Sequence, residues 1–250
     1  VLSEIAPTHL ALAFALTFTG AWVQGVLGLG FAVLTVPLLG LVDPRLVPVP
    51  QMLVVVPLTA LMVVREWHAL ELRSLGWILL GRLPGAGLGI LLVKVGDQAV
   101  LDLGIGLSVL LAALILSTGL RWPRNRGTEA LAGLVSGVSG MVSAIGGPPV
   151  ALLYRHDRGP AIRANLAGIF FTGVLITLVT RAAAGEIGRL DAELGALLLP
   201  ALLLGLAASH RSRRGIEGRR LTTGVLLVSA VAGSALVWRA MAGLAGVGAP

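Results

Sequence analysis

The sequence predicts an all-α, polytopic membrane protein of eight apolar segments in two inverted repeats, with segments one and five broken into re-entrant helical hairpins. Three observations predict it. Hydrophobic residues make up 56% of the 250-residue chain and charged residues only 12%, against roughly 25% charged in globular chains. The apolar runs are long enough to cross a hydrocarbon core of about 30 Å and lack the polar alternation of a β-barrel. A glycine-rich interruption recurs in both halves, as VLGLGFAV at Val26–Val33 and SAIGGPPV at Ser143–Val150.

The eight segments are read at 9–41, 47–64, 74–94, 98–118, 129–154, 163–184, 192–209 and 221–238. In segment one, the run from Leu10 to Val23 has no basic region before it and no small-residue cleavage site after it, so it reads as structure rather than as a signal peptide. It continues through Gly28 and Gly30, with Pro37 placed to kink the second half. Segment two opens near Gln51. Segment three carries Arg82 in GRLPGAG, about 12 Å along a helix that rises 1.5 Å per residue. There the guanidinium either snorkels to the nearer face or marks a polar pathway. Asp102, a turn into segment four, reads as a satisfied polar contact near the interface in preference to a proton relay.

Segment five is the most informative. Gly146 and Gly147 tolerate turn dihedrals, while Pro148 and Pro149 suit a first helical turn. A bare turn facing lipid would leave peptide groups unpaired, so this one must line an enclosed cavity. A helix beginning at Pro148 is expected to aim free N–H groups, and a dipole end worth about half a positive charge, into that cavity. Such an end attracts anions.

The halves correspond at an offset of about 115 residues, longer than solenoid periods and typical of transporter duplication. Gly28 and Gly30 match Ala144 and Gly146, Gln51 matches Asn165, and Phe31 stands where Gly147 stands. The chain therefore divides into a first repeat over 1–120, a basic linker over 121–128 and a second repeat over 129–250. If segments one and five are re-entrant, thirteen Lys and Arg residues fall on one face and five on the other. If all eight segments cross, that asymmetry disappears. The positive-inside rule therefore favours re-entrant hairpins, with REWHALELR, RWPRNRG, RHDRGPAIR and RSRRGIEGRR cytoplasmic and both termini outside.

The candidate substrate site lies where the hairpins meet. It takes Gly28, Gly30, Phe31, Ser143, Gly146, Gly147, Pro148 and Pro149, with the Gln51 and Asn165 amides and Arg82 as further donors to an oxyanion. Backbone N–H groups at Phe31–Ala32 and Val150–Ala151 would contribute. Ser136, Ser139 and Thr172 are additional hydroxyl candidates, each also able to bond its own helix. For the glycines, close helix packing is the competing role.

His9, His68, His156 and His210 sit at segment ends without metal-ligand spacing, and no cysteine is present for a disulfide or thiolate site. No metal, cofactor or catalytic triad is expected, and the chain does not read as an enzyme. The net charge of +7 follows from loop arginines placed by topology, so nucleic acid is not an expected partner. The expected partners are a small anion and the lipid bilayer, with a homo-oligomer left open.

The glycine-rich first hairpin, IGGPPVALLY from Ile145 and RANLAGIFF from Arg163 together resemble the sulfite exporter TauE/SafE family across nearly the whole chain. That resemblance implies a bacterial inner-membrane protein moving sulfite, organosulfonates or related small anions, commonly outward. By motif it assigns the hairpins to Gly28, Gly30, Gly146, Gly147, Pro148 and Pro149, and the polar position of the next helix to Asn165. The first half departs from the family, which usually shows more glycines than Leu29-Gly30-Phe31 and a small hydroxyl residue near Gln51. An anion channel and a membrane scaffold without substrate remain the alternatives.

Overall fold

The computed structural model describes residues 5–70, 72–118, 122–154, 160–212 and 218–245. Arg121, Arg155, Arg158, Arg213, Arg214 and His156 of the basic loops lie outside the described residues. Among the described residues ten α-helices follow in order: α1 Pro7–Leu27, α2 Phe31–Val42, α3 Val49–Glu66, α4 Leu72–Val95, α5 Gln98–Ser117, α6 Arg126–Ser143, α7 Gly147–Leu153, α8 Pro160–Ala183, α9 Arg189–Ser212 and α10 Gly218–Leu244. Seven helical stretches among the described residues are long and apolar enough to cross a membrane. Leu83, Leu91, Val179, Val231 and Trp238 each expose more than half their surface outward, as lipid-facing side chains would.

Segments one and five each divide into a long helix and a short one, giving ten helices from eight segments. Both pairs fold back on themselves. His9 near the start of α1 lies 3.5 Å from Asp43 just past α2, and the Arg124 guanidinium before α6 stacks 4.6 Å over the Tyr154 ring just past α7. The two hairpins differ in apolar length, however, since α6 is not among the membrane-length stretches. α1 has 21 residues and qualifies by itself as a span, and its Trp22 indole donates to Ser212 at the last turn of α9. The short helices start further back, because the turn residues retrace part of that depth: Gly30 returns beside Val23, and Gly146 beside Gly140. The linker is also shorter than expected. α6 begins at Arg126 rather than 129, since the Asn125 side chain accepts from Thr128 N while the Thr128 hydroxyl accepts from Asn125 N, a reciprocal cap.

Three helix pairings are kept when α1–α5 are exchanged for α6–α10. α1 packs on α9 as α6 packs on α4; α3 packs on α9 as α8 packs on α4; α2 packs on α10 as α7 packs on α5. At one end of the bundle Arg239 of α10 bridges Asp102 of α5 (2.6 Å) and the Gly40 carbonyl of α2 (2.9 Å), so Asp102 is a paired group. At the other end Arg65 of α3 meets His210 of α9, and Trp122 and Leu70 each pack against the buried cluster that holds Leu75 and Tyr154.

The tightest seam joins α4 to α6. Gly81 and Gly85 of α4 and Gly133 and Gly137 of α6 line it, each where an added Cβ would meet backbone atoms of the opposite helix, and Gly89 continues the α4 row against the Met141 side chain. Lipid offers no hydrophobic drive between helices, so such small-residue rows secure association through close backbone approach. The seam also sets the position of Arg82, which leaves α4 between two of these glycines.

Candidate functional site

The second hairpin turns at Ala144, whose φ of 59° places it in the left-handed region and whose N–H bonds back to the Gly140 carbonyl. The equivalent turn of the first hairpin is Gly28, at φ 83° and bonded to the Gln24 carbonyl. The two turns therefore share one backbone design, and Ala144 adopts it at the steric cost glycine avoids.

Polar atoms around the second turn are committed to building it. The Ser143 hydroxyl donates to Ser139 O (2.6 Å) and accepts from Ile145 N (3.3 Å). Ser136 donates to the Gly146 carbonyl at 2.5 Å and accepts from Arg82 Nη1 at 2.6 Å. Arg82 is only 4% exposed. It reaches this position between Gly140, Gly146 and Gly173, none of which has a side chain to obstruct it. Its Nε is buried without a partner, and among the described residues no carboxylate pairs with it.

At the first turn the polar work falls to Gln24. Its Oε1 accepts from Phe31 N at 3.0 Å, and its Nε2 donates to the Gly28 carbonyl at 3.2 Å. The amide thus caps α2 and ties the turn to α1.

Both turns line one cavity of about 90 Å³, walled by residues 29–33 and 144–148 and by side chains from α1, α3, α4 and α8. Gly30, Phe31, Arg82, Gly146, Gly147 and Pro148 of the expected site line it; Gly28, Gln51, Ser143, Pro149 and Asn165 do not. Gln51 and Asn165 are fully buried, with Gln51 one position before the cavity-lining Met52.

The expected N–H donors need correction. Phe31 N–H is taken by Gln24. α7 starts at Gly147, not Pro148, so Val150 and Ala151 are its fourth and fifth residues. Their N–H groups bond within the helix, and the two prolines before them have no N–H to offer. Ser143 is likewise spent on the turn. Sequence reading missed Gln24, Thr59, Phe170, Val174 and Thr177 of the wall. Gln24 carried a usable signal: it stands four residues before the turn glycine, as Gly140 stands four before Ala144. Arg181 was also missed; it is 3% exposed, and its Nη2 donates to the Met141 carbonyl near the end of α6 at 2.6 Å.

Membrane-length helices packed around a buried, arginine-lined cavity define a multi-pass membrane protein with an internal polar site. The chain belongs to the sulfite exporter TauE/SafE family, whose model matches residues 12–236, most of its length. That family implies a membrane transporter of sulfite or related anions, not an enzyme. No curated protein and no solved structure matches the chain.

Proposed function

We propose that the protein is a secondary transporter, working as an exporter, that holds a small sulfur-containing anion in the cavity between the two hairpins with its charge on Arg82. The observation that carries the reading is Arg82 itself: a guanidinium 4% exposed, hydrogen-bonded to one hydroxyl and opposed by no carboxylate among the described residues. Burying an unpaired charge costs several kcal/mol, and one charged hydrogen bond returns only about 1.5–3 kcal/mol. A bound anion offsets the remainder. The planar fork also suits an oxyanion better than an ammonium would.

In this reading residues 1–120 and 129–250 are inverted repeats, and access alternates as one half rocks against the other around the hairpins. The arginine-rich end faces the cytoplasm of a bacterial inner membrane and both termini face outward. The test is counterflow of labelled sulfite and short sulfonates in proteoliposomes. Arg82→Gln should abolish saturable exchange and Arg82→Lys should weaken it, both with the parent's melting temperature within a few degrees. Exchange that is indifferent to either substitution, or ohmic anion current without counterflow, refutes the proposal.

A further inference from the structure

We infer that the cavity selects a singly charged oxyanion bearing a short apolar substituent, about two to five carbons long by the space available, over a bare doubly charged oxyanion. The inference rests on the cavity being the transport site and concerns what that site admits.

The polar side chains lining the cavity are Gln24, Thr59, Arg82 and Thr177, and three of them are already engaged. The Gln24 amide spans Phe31 N–H and Gly28 O. Thr59 donates to Val55 O at 2.8 Å and Val56 O at 3.1 Å, and Thr177 to Gly173 O at 3.0 Å. A threonine whose proton is held by its own helix turns only lone pairs toward a guest, which an oxyanion repels. Arg82 alone offers both charge and uncommitted donor capacity.

The backbone adds little. The prolines strip α7 of two first-turn donors. α7 keeps the Gly147 N–H, and α2, with Phe31 N–H occupied, keeps those of Ala32 and Val33 in its first turn. One full positive charge and a few neutral backbone donors balance one negative charge; a second would enter the site with no cation opposite it. The rest of the wall is apolar, with Met52, Val55, Leu58, Phe170 and Val174 facing the space beside Arg82. Water bound to a small inorganic oxyanion would find no partners on that wall, whereas methylene groups would.

The volume sets the length. At about 10–15 Å³ for each water-sized group, 90 Å³ admits on the order of six to nine such groups. The sulfur and three oxygens of a sulfonate head take about four of these, leaving about two to five for the chain.

The experiment is competition against labelled propanesulfonate, using the full-length protein in lipid nanodiscs. The competitors are the alkanesulfonates from methane- to hexanesulfonate, sulfite, sulfate, short alkanoates and the matching neutral sulfonamides. Affinity should rise roughly fourfold per added carbon while the chain fills the apolar wall and fall once it exceeds about five. Sulfate and the sulfonamides should fail to compete. Alkanoates following the same length profile would show that the head is read as a monoanion rather than as sulfur. Val174→Phe should shift the optimum by one or two carbons toward shorter chains; the length series on the unaltered protein stands whether or not that variant folds. If sulfite or sulfate competes as well as propanesulfonate, or affinity is flat with length, while Arg82→Gln still abolishes binding, this inference is overturned and the transport reading survives. If no anion binds in an Arg82-dependent way, both fall.

Discussion

Gly137→Ala tests whether the α4–α6 seam sets the binding geometry. The added Cβ would stand 2.6 Å from the Arg82 carbonyl oxygen and 2.9 Å from both Ala86 N and Gly85 C. All three are backbone atoms, so no rotamer change can relieve the overlap. Ordinary contact begins near 3.4 Å, which leaves a shortfall of about 0.8 Å; opening the seam that far forfeits a quarter to a half of each dispersion well it separates. The expected loss is about 1–3 kcal/mol, typical of overpacking. For a chain of this length that corresponds to a melting temperature lower by roughly 2–12 °C. Arg82 moves with its backbone, and a displacement approaching 1 Å should weaken anion binding by about tenfold or more. Gly87→Ala is the internal control. It lies on the same helix with nothing within 4 Å of the added Cβ, so it should be neutral or stabilise by up to about 1 kcal/mol. Thermal unfolding and sulfonate competition on both variants decide the matter. A Gly137→Ala protein that melts and binds like the parent, or a Gly87→Ala protein that fails equally, would refute the seam as the element that positions Arg82.

Four further outcomes follow from groups whose partners are known. Gln24→Leu removes the cap on Phe31 N–H and strands the Gly28 carbonyl, which should cost about 1–3 kcal/mol and lower the melting temperature; Gln24→Glu, which keeps the acceptor, should recover part of it. Arg239→Met leaves Asp102, 3% exposed, without its guanidinium, a loss of about 3–5 kcal/mol. Adding Asp102→Asn to that variant should therefore raise its melting temperature. Gln51 is fully buried with neither amide atom partnered, so Gln51→Met should stabilise by about 1–3 kcal/mol and leave sulfonate competition unchanged. Outside the spans, the Arg45 guanidinium beside Asp43 holds its carboxyl down at about 2, from an ordinary 3.8. A carboxyl depressed in the folded state stabilises above its unfolded value and loses that contribution as pH falls through its folded value. The melting temperatures of the parent and Asp43→Asn should therefore differ at pH above about 4 and converge toward pH 2.

What the sequence made legible was set by composition and by residues that break helices. Apolar length located all eight segments, and the Gly-Gly-Pro-Pro run located the second turn, because proline and glycine act on the backbone wherever they stand. Contacts across helices were not legible. That Gln24 would cap α2 depends on Gly30 bringing Phe31 back beside α1, and that Ser143 would be consumed by its own turn depends on the left-handed Ala144. The glycine row on α4 was visible as small residues, but its role needed the facing row on α6. Arg82 was found because an arginine eight residues into an apolar run is conspicuous in any arrangement; its partner Ser136, 54 positions away, could be named only as one hydroxyl among several.

The inequivalence of the two turns bears directly on mechanism. They share a left-handed residue and an i to i−4 bond at the helix end, yet at the first the position four residues upstream is a glutamine that closes the turn upon itself. At the second, that position is Gly140, and the space its missing side chain leaves is crossed by the Arg82 guanidinium. One turn is thus self-satisfied, while the other depends on a charge delivered from α4. A guest that neutralises Arg82 changes the electrostatics of the second hairpin, whereas the first meets it only through the neutral N–H groups of Ala32 and Val33. Any occupancy-driven movement should therefore begin in α6 and α7. Substrate-dependent change in hydrogen exchange should appear first around residues 136–147 and only afterwards around residues 24–31; simultaneous change in both, or change in the first turn alone, would contradict this order.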